Sequence, residues 1–214
     1  MPPQDQRPFI GVYRITDWRN LEHILRYGIY ATNHVQNPQE DYRFIGDPDL
    51  TGRRAAFPAK PPASGVLGDY VPFYFGRRSP MLFTLVRKGW AQERDVVYLL
   101  VKIQDIIAAG CEFCFTDGQA NTDLTNFYVN PGDLDQLDRT AIEATFWRKT
   151  DDDPDRTRRK SAEFLVRHHV APNLISGIVV KDTDRQLEVK QIVCNSNFPT
   201  LPVAVRGDKY YYQS

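Results

Sequence analysis

The 214-residue sequence predicts an α+β fold with a mainly antiparallel sheet. Three observations carry this expectation. Runs with strand-like alternation outnumber helical runs, the helical runs do not alternate with strands as βαβ units would, and the first strand-like run is dense in aromatic and β-branched residues.

Taken in order, residues 9–15 alternate and read as a strand. Thr16 and Asp17 then offer capping oxygens, Leu21, Ile24 and Leu25 recur at helical spacing, and Gly28 is a stop, which predicts a helix over 17–27. Residues 31–68 carry Asn33, Pro38, Gly46, Pro58 and Gly65 with little periodicity and read as one long irregular excursion. Strands are predicted over 70–75 and 96–103, a short helix over 104–109 ended by Gly110, a strand over 111–115, and a polar loop over 117–126. Ile142 and Phe146, four apart, predict a helix over 139–147, and the aspartate-rich run 151–155 breaks the chain before the basic Arg158, Arg159 and Lys160. Ala162, Phe164 and Val166 alternate with Glu163, Leu165 and Arg167, so a strand here points Glu163 away from the face of Phe164 and Val166. Short strands over 177–181, 191–194 and 203–206 complete the pattern, and Tyr210, Tyr211 and Tyr212 close it.

No Gly/Ser-rich or Pro-rich interval divides the chain, which reads as a single domain over 1–214. No run approaches the roughly 18 apolar residues of a membrane span, and the opening residues 1–8 lack a signal-peptide core, so the expected compartment is the cytoplasm. Lys plus Arg equals Asp plus Glu at 27 each, so any nucleic-acid contact must be local. The odd cysteine count argues against a disulfide framework, and Cys111 and Cys114, three apart in a strand, face opposite sides rather than one metal. The four histidines have no zinc spacing with cysteine or carboxylate, so no metal is expected. Dinucleotide-fingerprint, P-loop and nucleophile-elbow motifs are absent.

More specific blocks remain. Tyr13-Arg-Ile-Thr16, Ile45-Gly-Asp47 with Arg53-Arg54, Gly68-Asp-Tyr-Val-Pro-Phe-Tyr-Phe75, Arg78-Ser-Pro-Met-Leu82, Phe115-Thr-Asp117 and Ala162-Glu-Phe-Leu-Val166 occur in that order over nearly the whole chain. Together they resemble the DarT family of DNA ADP-ribosyltransferase toxins. The resemblance implies an ADP-ribosyltransferase-like fold, a split mixed or antiparallel sheet with flanking helices and a central NAD crevice. It implies NAD as co-substrate, single-stranded DNA as acceptor with thymine as the expected base, a DarG-like macrodomain antitoxin as partner, and a monomer. By position, Glu163 and Arg54 match the catalytic pair. Tyr13, Arg14, Thr16, Tyr74 and Met81 match the segments that contact NAD. Arg53, Arg78, Asp117, Asn121 and Thr122 fall on the side expected to meet the strand, with Arg77, Arg158, Arg159 and Lys160 as further phosphate-holding candidates. Many relatives have His where this chain has Arg14, which leaves the acceptor open between thymine and guanine, RNA or protein, and leaves a non-catalytic single-strand binder as the contrasting reading.

On spacing alone these residues have plainer readings. Glu163 then pairs on the surface with Arg159 or Arg167, Arg53 and Arg54 are solvated, Thr116 and Asp117 cap a turn, and Arg158 to Lys160 form a charged hairpin.

Overall fold

The computed structural model describes residues 9–37 and 42–211; the opening residues 1–8, Pro38 and Tyr212 lie outside the described residues. β1 (Gly11–Asp17) ends at Asp17, whose carboxylate accepts from the Arg19 N–H and starts a 3-10 turn before α1 (Leu21–Tyr27). The helix expected over 17–27 is therefore a 3-10 turn plus a shorter α-helix, with Leu21, Ile24 and Leu25 buried as their spacing requires. Gly28 stops it at a φ of +85°, where an added Cβ would lie 2.3 Å from the Val170 carbonyl oxygen, so only glycine fits. β2 (Ile29–Tyr30) follows.

The expected irregular excursion is corrected by α2 (Pro48–Ala56), a helix N-capped by Asp47 with Pro48 in its first turn. None of its residues is buried, so it has no apolar stripe for periodicity to reveal. After β3 (Tyr70–Tyr74), Ser79 caps α3 (Pro80–Arg87), which buries Leu82 and Leu85. β4 (Val96–Lys102), α4 (Ile103–Ala108), β5 (Phe113–Thr116) and β6 (Phe127–Tyr128) come next. Cys111 thus precedes its expected strand; Cys114 is buried in it, and burial pushes its thiol up to about 12.

The helix expected over 139–147 is only α5 (Arg139–Glu143), because Ile142 is buried while Phe146 is 60% exposed, and the two do not share a face. The basic run is not a hairpin but α6 (Arg156–Lys160). β7 (Glu163–Arg167), β8 (His169–Val170) and β9 (Ile175–Val180) follow. The strand expected over 191–194 is instead the last turn of α7 (Thr183–Cys194), which buries Val189 and Val193, four apart. Helical period outweighs the local β-branched composition there. β10 (Val203–Val205) is the last strand.

Among the described residues, eight strands form one sheet in the order β10-β9-β4-β1-β3-β7-β5-β6, antiparallel except where β10 joins β9. β2 and β8 form a separate pair. The sheet is nearly divided at its middle. β1 pairs with β4 over seven residues but meets β3 only at Tyr13 and Tyr74. Pro72 supplies a reason: an antiparallel residue directs its nitrogen and carbonyl to one side, and the Pro72 carbonyl faces β1, where Arg14 reaches it. Its nitrogen on that edge carries no hydrogen to bond β1. The main core packs Val12, Phe73, Leu99, Phe164 and Val166 against α1, α4 and α7, while Ile15, Val96 and Tyr98 pack on α3 and Tyr210. Each such large side chain contributes about 1.5–3 kcal/mol. Among the described residues no helix is long and apolar enough to cross a membrane.

Lys160 is a buried cation of this scaffold. Its Nζ donates to the carbonyls of Ile142 and Ala144 and so closes the end of α5. Burial, with Arg78 close by, pulls its pKa down to about 8 from 10.5. Between those values the unfolded chain holds the extra proton, so this group makes stability rise with pH across that window. Urea titrations should show the wild type gaining about 1–3 kcal/mol on Lys160→Met between pH 8 and 10.5; parallel profiles would refute this.

Candidate active site

Glu163 begins β7, in register with Tyr74 of β3, and is 2% exposed. Its carboxylate is gripped by two other segments. Arg54, near the end of α2, donates to both oxygens at 3.0 and 2.7 Å, and the Ala120 backbone N–H donates to Oε1 at 2.9 Å. Burial pulls the Arg54 guanidinium down, but the charge of Glu163 and its hydrogen bonds outweigh this and leave Arg54 raised above its ordinary value. The Glu163 N–H in turn donates to Thr116 Oγ1, whose hydroxyl donates to the Gly118 carbonyl at 2.7 Å. The surface-pair reading of Glu163 is thereby corrected: Arg159 pairs with Asp138 and Asp153, and Arg167 with Glu112.

The loop over 117–126 is pinned from beneath. Asp117 accepts from Arg158 at 2.8 Å and from Asn126, and Lys60 Nζ donates to the carbonyls of Thr122, Asp123 and Thr125. Asn121 Oδ1 is enclosed without a hydrogen-bond partner. Neither Ala120 nor Lys60 stands out in the sequence, because one acts through its backbone and the other is a lone cation in a loop.

Arg14, Thr16, Arg54, Tyr74 and Met81 line one cavity of about 120 Å³ between β1, β3 and α2. The Tyr74 hydroxyl donates to Met81 Sδ at 3.6 Å; burial first, then the charge of Glu163, raises its pKa, so it stays a neutral phenol. Asn20, a residue not singled out for the site, donates to Thr16 Oγ1 and braces Arg43 through its carbonyl and N–H. Tyr13 is not in this cavity. It lines a separate hollow of about 550 Å³ with Arg77, Arg78, Arg139 and Lys209, as expected for a neighbour of Arg14 on one strand. Arg53 is exposed on α2 beside Arg54. Arg158 and Arg159 are engaged by aspartates and Lys160 by carbonyls. No group of three or more His, Cys, Asp or Glu side chains suited to a metal ion occurs among the described residues.

A nearly divided sheet with a cavity-lining arginine that grips a buried carboxylate suits group transfer from a dinucleotide. The family model described as "ssDNA thymidine ADP-ribosyltransferase, DarT" matches residues 13–212. The chain is a member of the DarT family. A "DNA ADP-ribosyl transferase" of Escherichia coli O127:H6 is 32% identical over 204 residues, covering 94% of this chain and 93% of the relative. The structure of Thermus sp. 2.9 DarT in complex with ADP-ribosylated single-stranded DNA matches with a TM-score of 0.87 and 32% identity, over 98% of this chain and all (100%) of that one. The same Thermus DarT with NAD⁺ matches at 0.80 and 33%, over 97% and 100%. A Thermosipho africanus fusion of a DNA ADP-ribosyl transferase with a DNA ADP-ribosyl glycohydrolase is 26% identical, covering 91% of this chain and 48% of the fusion. As a DarT, the chain is an NAD-dependent DNA ADP-ribosyltransferase with the α+β ADP-ribosyltransferase fold expected from its sequence.

Proposed function

We propose that Glu163 and Arg54 carry the transfer of ADP-ribose from NAD to a thymine of single-stranded DNA. The observation that supports this most is the buried Glu163 carboxylate, held by α2, β7 and the 117–126 loop at once. As the bond from ribose to nicotinamide breaks, nicotinamide leaves as a neutral molecule and positive charge develops on the ribose carbon. The Glu163 carboxylate stabilises that charge. A base nitrogen then bonds to the carbon and loses its proton to Glu163. Arg54 polarises a carbonyl of the attacking base, so substrate must loosen the Arg54–Glu163 pair and each partner takes a separate task. Arg14, Thr16, Tyr74 and Met81 hold the dinucleotide, and Asn121, with an unpartnered acceptor, reads the base edge together with Thr122.

Tyr13 is proposed only as a wall behind this site, since it lines the adjoining hollow. Arg53, Arg77 and Arg78 replace the α6 cations as phosphate contacts. Among the described residues these three have no ion-pair partner. Removing Arg53 or Arg77 should lower the slope of log affinity against log salt for a single strand by about 0.7 each, and Arg159→Ala should leave it unchanged. An unchanged slope in Arg53→Ala and Arg77→Ala would refute these contacts. The chain works as one catalytic domain over 1–214, in the cytoplasm, as a toxin countered by a DarG-like macrodomain that removes the ADP-ribose. Growth arrest on expression, relieved by such a macrodomain and absent in Glu163→Gln, tests the toxin reading.

A further inference from the structure

The 117–126 loop is held by different means at its root and at its tip. At the root, Asp117 accepts from Arg158 at 2.8 Å and the Gln119 N–H donates to the Arg158 carbonyl at 3.1 Å. Ala120 is buried there in a small core with Ala59, Tyr70, Cys114 and Leu165. The tip is more open, with Leu124 74% exposed, and among the described residues Thr122 and Asp123 are hydrogen-bonded to another segment through one side chain, that of Lys60. An ammonium has three N–H donors. On the half-buried Lys60 Nζ the carbonyls of Thr122, Asp123 and Thr125 converge at 3.0, 2.6 and 3.3 Å, so loop backbone takes its whole donor capacity. Lys60 itself stands on a fixed base: the Ala59 N–H donates to the Gly65 carbonyl at 3.0 Å, the Leu67 N–H to the Phe57 carbonyl at 2.8 Å, and Ala59 is buried beside Ala120. This base follows directly on α2, whose last turn carries Arg54.

A second tie joins α2 to the loop in the free protein, since Arg54 grips Glu163 and Glu163 accepts from the Ala120 N–H. The transfer proposed above loosens the Arg54–Glu163 pair when the base arrives, and Lys60 is then the link that persists. We infer that Lys60 is a positioning residue for the acceptor base: it fixes the loop tip that carries Asn121 and Thr122 while Arg54 leaves Glu163 for the base. Lys60 does not line the donor cavity and acts through the placement of those two residues. The inference rests on the reading that this loop meets the acceptor base. Because the root and Ala120 are held independently, loss of Lys60 frees the tip without moving the N–H that holds Glu163, so reaction of NAD with water persists. Because three carbonyls converge on one point, a planar guanidinium fork does not replace the ammonium, although its charge is the same.

The experiment follows two reactions of wild type, Lys60→Met and Lys60→Arg: transfer of ADP-ribose to a thymine-containing oligonucleotide, and hydrolysis of NAD by water without DNA. Lys60→Met should lower kcat/KM for the oligonucleotide about 10-fold or more, with NAD hydrolysis and KM for NAD within about twofold of wild type. Lys60→Arg should lose nearly as much. Since Lys60 acts through the loop tip, Lys60→Met combined with Asn121→Ala should lose little more transfer than the worse single variant, whereas independent roles multiply. Transfer within about twofold of wild type in Lys60→Met overturns the inference, and so does an equal loss in both reactions, which marks a merely structural lysine. Full rescue by Lys60→Arg also overturns it, because a charge that meets phosphate would then explain the loss. Multiplied losses in the double variant do the same. If Lys60→Met does not fold, Lys60→Gln, which keeps two N–H donors, takes its place: the same split between the two reactions is expected, and its absence overturns the inference. Absence of transfer by the wild type, with NAD hydrolysis intact, overturns instead the reading of the acceptor on which the inference rests.

Discussion

Glu163→Gln is expected to reduce ADP-ribose transfer to an oligonucleotide by about 10³-fold or more while NAD affinity stays within a few-fold. The amide is nearly isosteric, and its oxygen can still accept the Ala120 N–H that holds Oε1 at 2.9 Å, so the loop should keep its place. What disappears is the negative charge that faces the developing cation on ribose and the base that takes the proton. Single-turnover rates with saturating NAD, set beside direct NAD titrations, separate the two effects. A variant that keeps more than about a tenth of wild-type transfer would show that the charge of Glu163 is not central.

Arg54→Ala should act on both stability and chemistry. Glu163 is 2% exposed, and removing its bidentate partner leaves a carboxylate in the core with only one backbone donor. Loss of one member of a buried pair costs about 3–5 kcal/mol. Urea unfolding should show most of that cost in Arg54→Ala and a smaller one in the double variant Arg54→Ala with Glu163→Gln, where no buried charge is orphaned. If the double variant is as unstable as the sum of the two singles, the pair is not what stabilises this corner. In the assay, transfer to DNA should fall about 100-fold or more, and NAD hydrolysis by water should fall much less, because water has no carbonyl for Arg54 to polarise. Equal losses in the two reactions would remove the proposed role of Arg54 at the base.

Much of this site follows from strand alternation. The pattern from Ala162 to Arg167 places Glu163 opposite Phe164 and Val166, and the structure seats it where that alternation points. The same rule separates Tyr13 from Arg14, since neighbours on β1 face opposite sides of the sheet, and the two line different hollows. Helix α2 was hidden because it buries nothing and so carries no period; only the Asp47-Pro48 cap marks its start. The last turn of α7 reads as a strand in isolation because Ile192 and Val193 are β-branched, and the four-residue spacing of the buried Val189 and Val193 decides its structure. Arg158 and Arg159 looked like a free basic run because their aspartates, at 117, 138, 153 and 155, are partly distant in sequence. The Ala120 N–H was illegible for a different reason, since every residue but proline carries one and only the fold aims it.

The central claim is that this crevice moves ADP-ribose onto thymine in single-stranded DNA through Glu163. Intact mass measurement of oligonucleotides after incubation with NAD tests it most directly. The expected result is one added ADP-ribose on thymine-containing single strands, none on strands of the same length without thymine, and none on either with Glu163→Gln. Absence of any adduct on every oligonucleotide with the wild type, or an undiminished adduct with Glu163→Gln, would contradict it.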